Sequence, residues 1–442
     1  MSESAQSRRG PSWMLRYASL LVYQLAYVLV FVSFLFWRMV FDNRYRSGIR
    51  ERFGFVPSSA AGQDVVWIHG VSVGEVKAAA ALIERLTATR PDLELLISST
   101  TPTGYQLACD LYPNLRVIYY PLDLGPCPGI ALRRVRPICV LLMELEVWPG
   151  FLHAADRQSV PVAVINGRIS EQSFRGYRLV RTFLPQFNLI EMFCMQDEAY
   201  RRRLLDLNVD PACAVVTGNM KYDNVRLGAA APDPQLRTWL SPDDRPVIVC
   251  GSTHGEEESW LVADIAAVAQ ASNTNLRIVL APRHPERAPG VRDSLAVDGA
   301  ACRMWSDEMG LLDPLTAEQL VIVDTIGHLE KFYAACDVAF IGGSLIPRGG
   351  QNMVEAAAMG KAVMFGPHVS NFRNDVQMLL GADAACQVQD RADLRTRLGQ
   401  LLADASLRQG LGERAVALIQ RNQGSTQRTL GQLAPLLQRA AD

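Results

Sequence analysis

Three carboxylates and a lysine stand where this sequence turns from apolar runs into helical patterns. Glu75 ends "HGVSVGE" (residues 69–75), between the run "VVWIH" and an amphipathic segment, while Glu144 and Glu146 fall in "LLMELEVWPG" and Lys221 in "VTGNMKYD". A carboxylate at a strand end can serve as a general base, and strand alternation would put Glu144 and Glu146 on one side. Each residue also has an ordinary structural reading. A glutamate in a first helical turn complements the macrodipole for at most about 1 kcal/mol, paired glutamates close salt bridges, and a lone lysine at a strand end is usually solvated. Periodicity alone favours the helix-start role for Glu75.

A second set of polar loops follows later in the chain. "APRHPER" holds Arg283 and His284 in a proline-flanked loop, and a basic loop of this kind can hold a phosphate. "DTIGHL" covers residues 324–329. In "IGGSLIPRGGQNMVEAAAMG" a strand ends in Gly342-Gly343-Ser344, and Asn352 with Glu355 opens a helix. A glycine-rich loop before a helix start predicts an anion site, with the glutamate placed to accept from ribose hydroxyls. The phosphate-loop signature, the dinucleotide fingerprint after the first strand, the nucleophile elbow and a strand-end D-x-D are all missing, which removes the usual basis for ATP hydrolysis, hydride transfer and serine hydrolysis. A nucleotide in one domain and a base in the other suggest group transfer.

The elements that must position these residues are continuous apolar runs separated by helical segments, the pattern of strands buried on both faces of a parallel sheet. Seven runs precede the Pro- and Asp-rich "GAAAPDPQLRTWLSPDDRP" and seven follow it. Two doubly wound α/β domains facing a cleft are the expectation: residues 47–227 for the acceptor, a linker at 228–245, and 246–442 for the donor, with closing helices that could pack back on the first domain. Residues 1–46 read as a membrane anchor with a basic flank. The apolar stretch 17–37 would reach about 30 Å as a helix, enough to span, or it could lie in the bilayer face. Arginines on its C-terminal side favour a cytoplasmic main body. With 44 Lys+Arg against 45 Asp+Glu the chain has no charge bias toward nucleic acid, and its nine cysteines show no C-x-x-C or metal-ligand spacing.

With these motifs in order, "VSVGE", "TPTG", "MELEVWP", "TGNMKYD", "STHGEEE", "PRHPER", "GGSL", "NMVEAAA" and "GPHVSNF", the chain resembles the membrane-anchored Kdo (3-deoxy-D-manno-octulosonic acid) transferases, inverting glycosyltransferases of the GT-B fold. The resemblance implies CMP-Kdo as donor, a lipid A precursor (lipid IVA) as acceptor, CMP as product, no metal or other cofactor, and an inner-membrane site. It assigns Glu75 as general base, Glu144 and Lys221 as transition-state stabilisers, and CMP contacts to Pro282, Arg283, Ile326, Gly327, His328, Asn352, Met353, Val354 and Glu355. Three motifs depart from the family pattern. Gln351 stands where His is frequent, "MELEVWPG" replaces "METELWPN", and His328 replaces a frequent Glu. The rivals are a GT-B enzyme using a UDP-sugar and an anchored binding protein without catalysis.

Overall fold

The structure is a computed structural model that describes residues 13–438 apart from 34–36, 39–40, 43–45, 61, 181–185, 229–232, 298, 310–312, 314 and 317–318. The chain divides into two compact units. One runs to Asn224 and is rejoined by the chain from Asn422, and the other spans Val225–Arg421.

The first unit is built on β1 (Val65–His69), β2 (Glu94–Ser99), β3 (Arg116–Tyr119), β4 (Pro137–Met143), β5 (Val162–Gly167), β6 (Met192–Met195) and β7 (Ala214–Val216). They form one sheet in the order β3-β2-β1-β4-β5-β6-β7, with every pair parallel. All residues of β1 and β5 are buried, as strands covered on both faces must be. Trp67, Phe151 and Phe193 fill one face, and Ile68, Leu82 and Leu86 the other. Trp67 is fully buried and still satisfies its indole N–H, which donates to Ser98 Oγ at 2.7 Å.

The helix Ser425–Leu437 belongs to this unit, where Leu433, Leu436 and Leu437 join the second of those faces. Asp223 fixes its start, accepting from Gly424 N at 2.7 Å and Thr426 N at 2.5 Å. The expected donor domain 246–442 is therefore too long at its end. The apolar stripe of this helix is buried against the first sheet, which a boundary drawn from strand spacing cannot register.

The second unit carries β8 (Val247–Thr253), β9 (Arg277–Pro282), β10 (Cys302–Met304), β11 (Leu320–Ile322), β12 (Val338–Ile341), β13 (Ala362–Phe365) and β14 (Cys386–Gln387). Their order is β10-β11-β9-β8-β12-β13-β14, again parallel at every pair. The expected linker 228–245 contains a helix, Pro234–Leu240, which starts on Asp233 as N-cap and buries Leu236, Trp239 and Leu240.

The N-terminal apolar stretch forms the 15-residue α-helix Trp13–Tyr27 and continues as a π-helical segment, Val28–Val32, while residues 34–36 lie outside the described residues. Among the described residues no helix is long and apolar enough to cross a membrane, so the expected spanning anchor is not seen. One face of the helix is tied to the loop after β3. Tyr23 donates to Asp123 Oδ2 and Gln24 Nε2 to Asp123 O, both at 2.8 Å, and Tyr27 Oη accepts from Asp123 N at 3.2 Å. Asp123 is buried and also accepts from Gly150 N and Phe151 N, at the start of the helix Pro149–Arg157. The other face leaves Leu21, Val22, Leu25 and Leu29 exposed.

Removing the Tyr23 donor leaves a buried carboxylate one partner short, a loss of about 1.5–3 kcal/mol for a hydrogen bond to a charged group. Y23F should accelerate hydrogen exchange and proteolytic cleavage within residues 13–33 while the sheet amides stay protected. Unchanged protection of the helix would show that this contact does not hold it.

Candidate active site

In the first unit the polar groups gather at the carboxyl ends of the strands. Glu75 lies in the first turn of the helix Val73–Ala78, whose N-cap Ser72 has extended backbone. Its Oε2 accepts from Val71 N at 2.9 Å and its Oε1 from Ser72 Oγ at 2.8 Å. This is close to a capping box, so the helix-start role is real. A carboxylate offers about four acceptor positions, however, and these two bonds orient Glu75 without exhausting it. Burial raises its pKa, the bonds from Val71 and Ser72 oppose the rise, and the Glu144 charge adds to it. A Cβ on Gly70 would sit 3.2 Å from the Cβ of Glu75, a tight contact, whereas one on Gly74 would meet only Ser72 Oγ at 3.8 Å.

Strand β4 stops at Met143, so alternation does not place Glu144 and Glu146 as the sequence reading expected. The Glu144 amide extends the ladder to Ile165 O at 3.0 Å, and its backbone then turns left-handed with φ 55°. A non-glycine residue in that region costs of order 1–3 kcal/mol and persists where the surroundings hold it. Burial raises the Glu144 pKa against the opposing charges of Arg168 and Lys221. Burial pushes Glu146 up to about 7, the nearby Glu75 and Glu144 charges add to this, and the Trp148 indole N–H, which donates at 3.1 Å, opposes it. The carboxylates are thus graded, with Glu146 among acids and Glu144 beside cations.

Lys221 sits in the single turn Met220–Tyr222, with Nζ 5.1 Å from the Tyr222 ring centre. An amide network holds this turn. Asn166, buried with φ 53°, accepts from Met220 N at 3.0 Å, and its carbonyl accepts from Gln196 Nε2 at 3.0 Å. Asn219 donates to Gln196 Oε1 and accepts from Lys221 N, both at 3.1 Å. Sequence reading missed Asn166 and Arg168, in the "VINGR" at the end of β5. His69, the first residue of "HGVSVGE", is buried and stacked on Tyr120 with ring centres 3.7 Å apart, and burial pushes its pKa down to about 3. It is a neutral structural group.

In the second unit the backbone of Arg283 donates to Thr253 O at 3.0 Å, Pro282 is buried, and the Arg283 side chain is exposed. His254 lies on the adjoining loop. Its pKa is lowered first by burial and then by the charges of His284, Arg348, Arg287 and Arg283, which defines a basic cluster. Arg287 is committed to buried Glu258 through two bonds of 3.0 and 3.3 Å. Among the described residues the guanidinium groups of Arg283 and Arg348 make no hydrogen bond or ion pair. Gln351 meets His254 Nε2 at 3.2 Å, which gives the departing residue a defined contact.

The glycine-rich loop differs from expectation. Buried Glu257 accepts from Gly343 N at 2.6 Å, Ser344 N at 3.1 Å and Leu345 N at 3.0 Å. An internal carboxylate therefore fills the anion nest expected for a ligand. The helix Val354–Ala358 has only five residues, and Asn352 Oδ1 caps Val354 N at 3.1 Å while its amide donates to Glu355 Oε1 at 2.9 Å. Met353 and Val354 are buried, and Glu355 is exposed. Ile326 is 86% exposed, Gly327 has φ 86°, and His328 Nδ1 accepts from Trp305 Nε1 at 2.7 Å. The free arginines, rather than the loop amides, are what this unit offers an anion.

Residues 47–224 match the family model described as 3-deoxy-D-manno-octulosonic-acid transferase (kdotransferase). The 3-deoxy-D-manno-octulosonic acid transferase of Haemophilus influenzae is 32% identical across 97% of this chain and 99% of its own. That of Bordetella pertussis is 34% identical across 83% of this chain and 86% of its own. In fold alone, UDP-GlcNAc 2-epimerase from Neisseria meningitidis is similar, with a TM-score of 0.57 at 14% identity over 84% of this chain and all of its own. Two parallel α/β units, a set of strand-end carboxylates and full-length relatives converge: the chain belongs to the 3-deoxy-D-manno-octulosonic acid transferase family of glycosyltransferases.

Proposed function

We propose that the protein transfers Kdo from CMP-Kdo to a sugar hydroxyl of a lipid A precursor, lipid IVA, at the inner membrane, with inversion at the anomeric carbon. The observation that carries this reading is the buried Glu75 carboxylate, oriented by Val71 N–H and the Ser72 hydroxyl with acceptor positions to spare. The acceptor hydroxyl attacks the anomeric carbon and passes its proton to Glu75. The bond from that carbon to the phosphate oxygen breaks, and CMP leaves with the electron pair. A neutral sugar hydroxyl is a poor nucleophile, so the base acts as the bond forms.

Charge changes at both ends of that step. Glu144 offsets positive charge at the anomeric centre, and Lys221 offsets the negative groups gathered there. In the second unit Arg283 and Arg348 take the CMP phosphate, the Ile326–His328 loop and the Asn352–Val354 backbone take the nucleoside, and Glu355 accepts from ribose. Met353 and Val354 contribute main chain only, because their side chains are buried. Protein cations supply this offset, so no metal is assigned a part.

The N-terminal helix fits a place in the bilayer face. Its Tyr23, Gln24 and Tyr27 are turned to the protein, while Leu21, Val22, Leu25 and Leu29 are turned outward. An enzyme held this way meets its lipid acceptor without drawing acyl chains into water, which costs about 0.8 kcal/mol per CH₂.

Two experiments test these assignments. The ionised form of Glu75 is the base and its pKa is raised, so kcat/KM should fall as pH drops through a value above the ordinary carboxylate range. E75Q should remove that limb and lower kcat by about 10²–10⁴ while CMP binding is kept. Wild-type turnover in E75Q would remove the base assignment. For the membrane, L25E/L29E should shift the full chain from anionic vesicles to the supernatant by about tenfold or more, since a buried charge costs about 2.5–3.5 kcal/mol per residue. Unaltered sedimentation would exclude this face as the contact.

A further inference from the structure

Arg168 follows β5 directly, between the loop of Glu144 after β4 and the turn of Lys221 after β7. Its side chain is exposed, and among the described residues its guanidinium makes no hydrogen bond or ion pair. The backbone beneath it is unusually constrained. Asn166 is left-handed and buried, a Cβ on Gly167 would collide with Met195 Sδ, and Gly167 O accepts from Gln196 N at 2.9 Å. The same Asn166 side chain accepts from Met220 N, beside Lys221. One amide frame thus fixes the backbone beneath both cations, and both charges bear on the half-buried Glu144 carboxylate. A solvated surface arginine has no need of such a frame.

We propose that Arg168 and Lys221 form an oxyanion subsite beside Glu144, which takes an anionic group of a substrate and sets the reacting hydroxyl and anomeric carbon in register. A planar guanidinium binds a carboxylate or phosphate through two parallel bonds, which fixes orientation as well as position. Two sources offer that chemistry: the carboxylate of the donor sugar, and a phosphate ester on the acceptor. The inference rests on the reaction proposed above. Arg168 is a binding and positioning residue in it, since the proton passes to Glu75.

The test uses direct binding to the full chain. Free Kdo brings only the carboxylate, and a phosphorylated glucosamine fragment brings only the phosphate; each is titrated calorimetrically onto wild type, R168A and R168K. One probe should bind R168A about 10- to 100-fold more weakly, the range expected when charge-assisted hydrogen bonds are lost. R168K should recover part of that loss, because lysine restores the charge without the fork. The probe that responds identifies the source. Unchanged circular dichroism and an unchanged thermal unfolding profile in R168A show that the first unit is folded. Equal binding of both probes to wild type and R168A overturns the proposal, as does failure of both to bind wild type. Separately, a wild-type chain that releases no CMP from CMP-Kdo refutes the transfer reaction, whatever the titrations give.

Discussion

A parallel ladder covered by helices on both faces has no solvated side, and that constraint organises the whole molecule. Every residue of β1 and β5 is buried, so a charge along either strand would have to be desolvated. Polar chemistry is confined to the places where the ladder ends. Glu75, Glu144, Glu146, Arg168 and Lys221 come from four separate segments and meet because the strands beneath them run in one direction and stop at one edge. The same rule puts Arg283 after β9 and the glycine-rich loop after β12.

Confinement to an edge also creates opposing forces on the carboxylates. Burial favours their protonated forms, while donated hydrogen bonds and cations favour the ionised ones. The three glutamates of the first unit resolve that balance differently. Glu75 has two donors, Glu144 has two cations, and Glu146 has one indole N–H and acidic neighbours. Glu257, in the second unit, is raised by burial, and the backbone amides of Gly343, Ser344 and Leu345 that donate to it oppose the rise. Identical side chains thus come to differ in charge balance and in hydrogen-bond partners, by environment alone.

Much of this was legible in the sequence. Continuous apolar runs marked the strands found among the described residues, most clearly where burial on both faces leaves no alternation, as in β1 and β5. Glu75, Glu144 and Lys221 were legible as strand-end polar groups, and the resemblance gave them roles. Arg168 was not, since nothing in "VINGRIS" marks it until β4, β5 and β7 are placed side by side. Glu257 was hidden for a similar reason, as it fills a loop 86 residues away in the chain. The partners of the N-terminal stretch were not legible, because hydropathy counts residues and ignores partners. Tyr23, Gln24 and Tyr27 find theirs about one hundred positions later, at Asp123.

Asp223 has a topological consequence. The chain leaves the first unit after Asn224 and re-enters it at Asn422, and this carboxylate holds the amides of Gly424 and Thr426. The second unit is thus an insertion in the first, with exit and return secured to one side chain. Its two backbone tethers start from a common point, so the first unit is complete only after the whole insertion has been synthesised. Trimming the C-terminus would therefore strip a helix from the first unit and expose the Leu433, Leu436 and Leu437 side of its core, leaving the second unit intact.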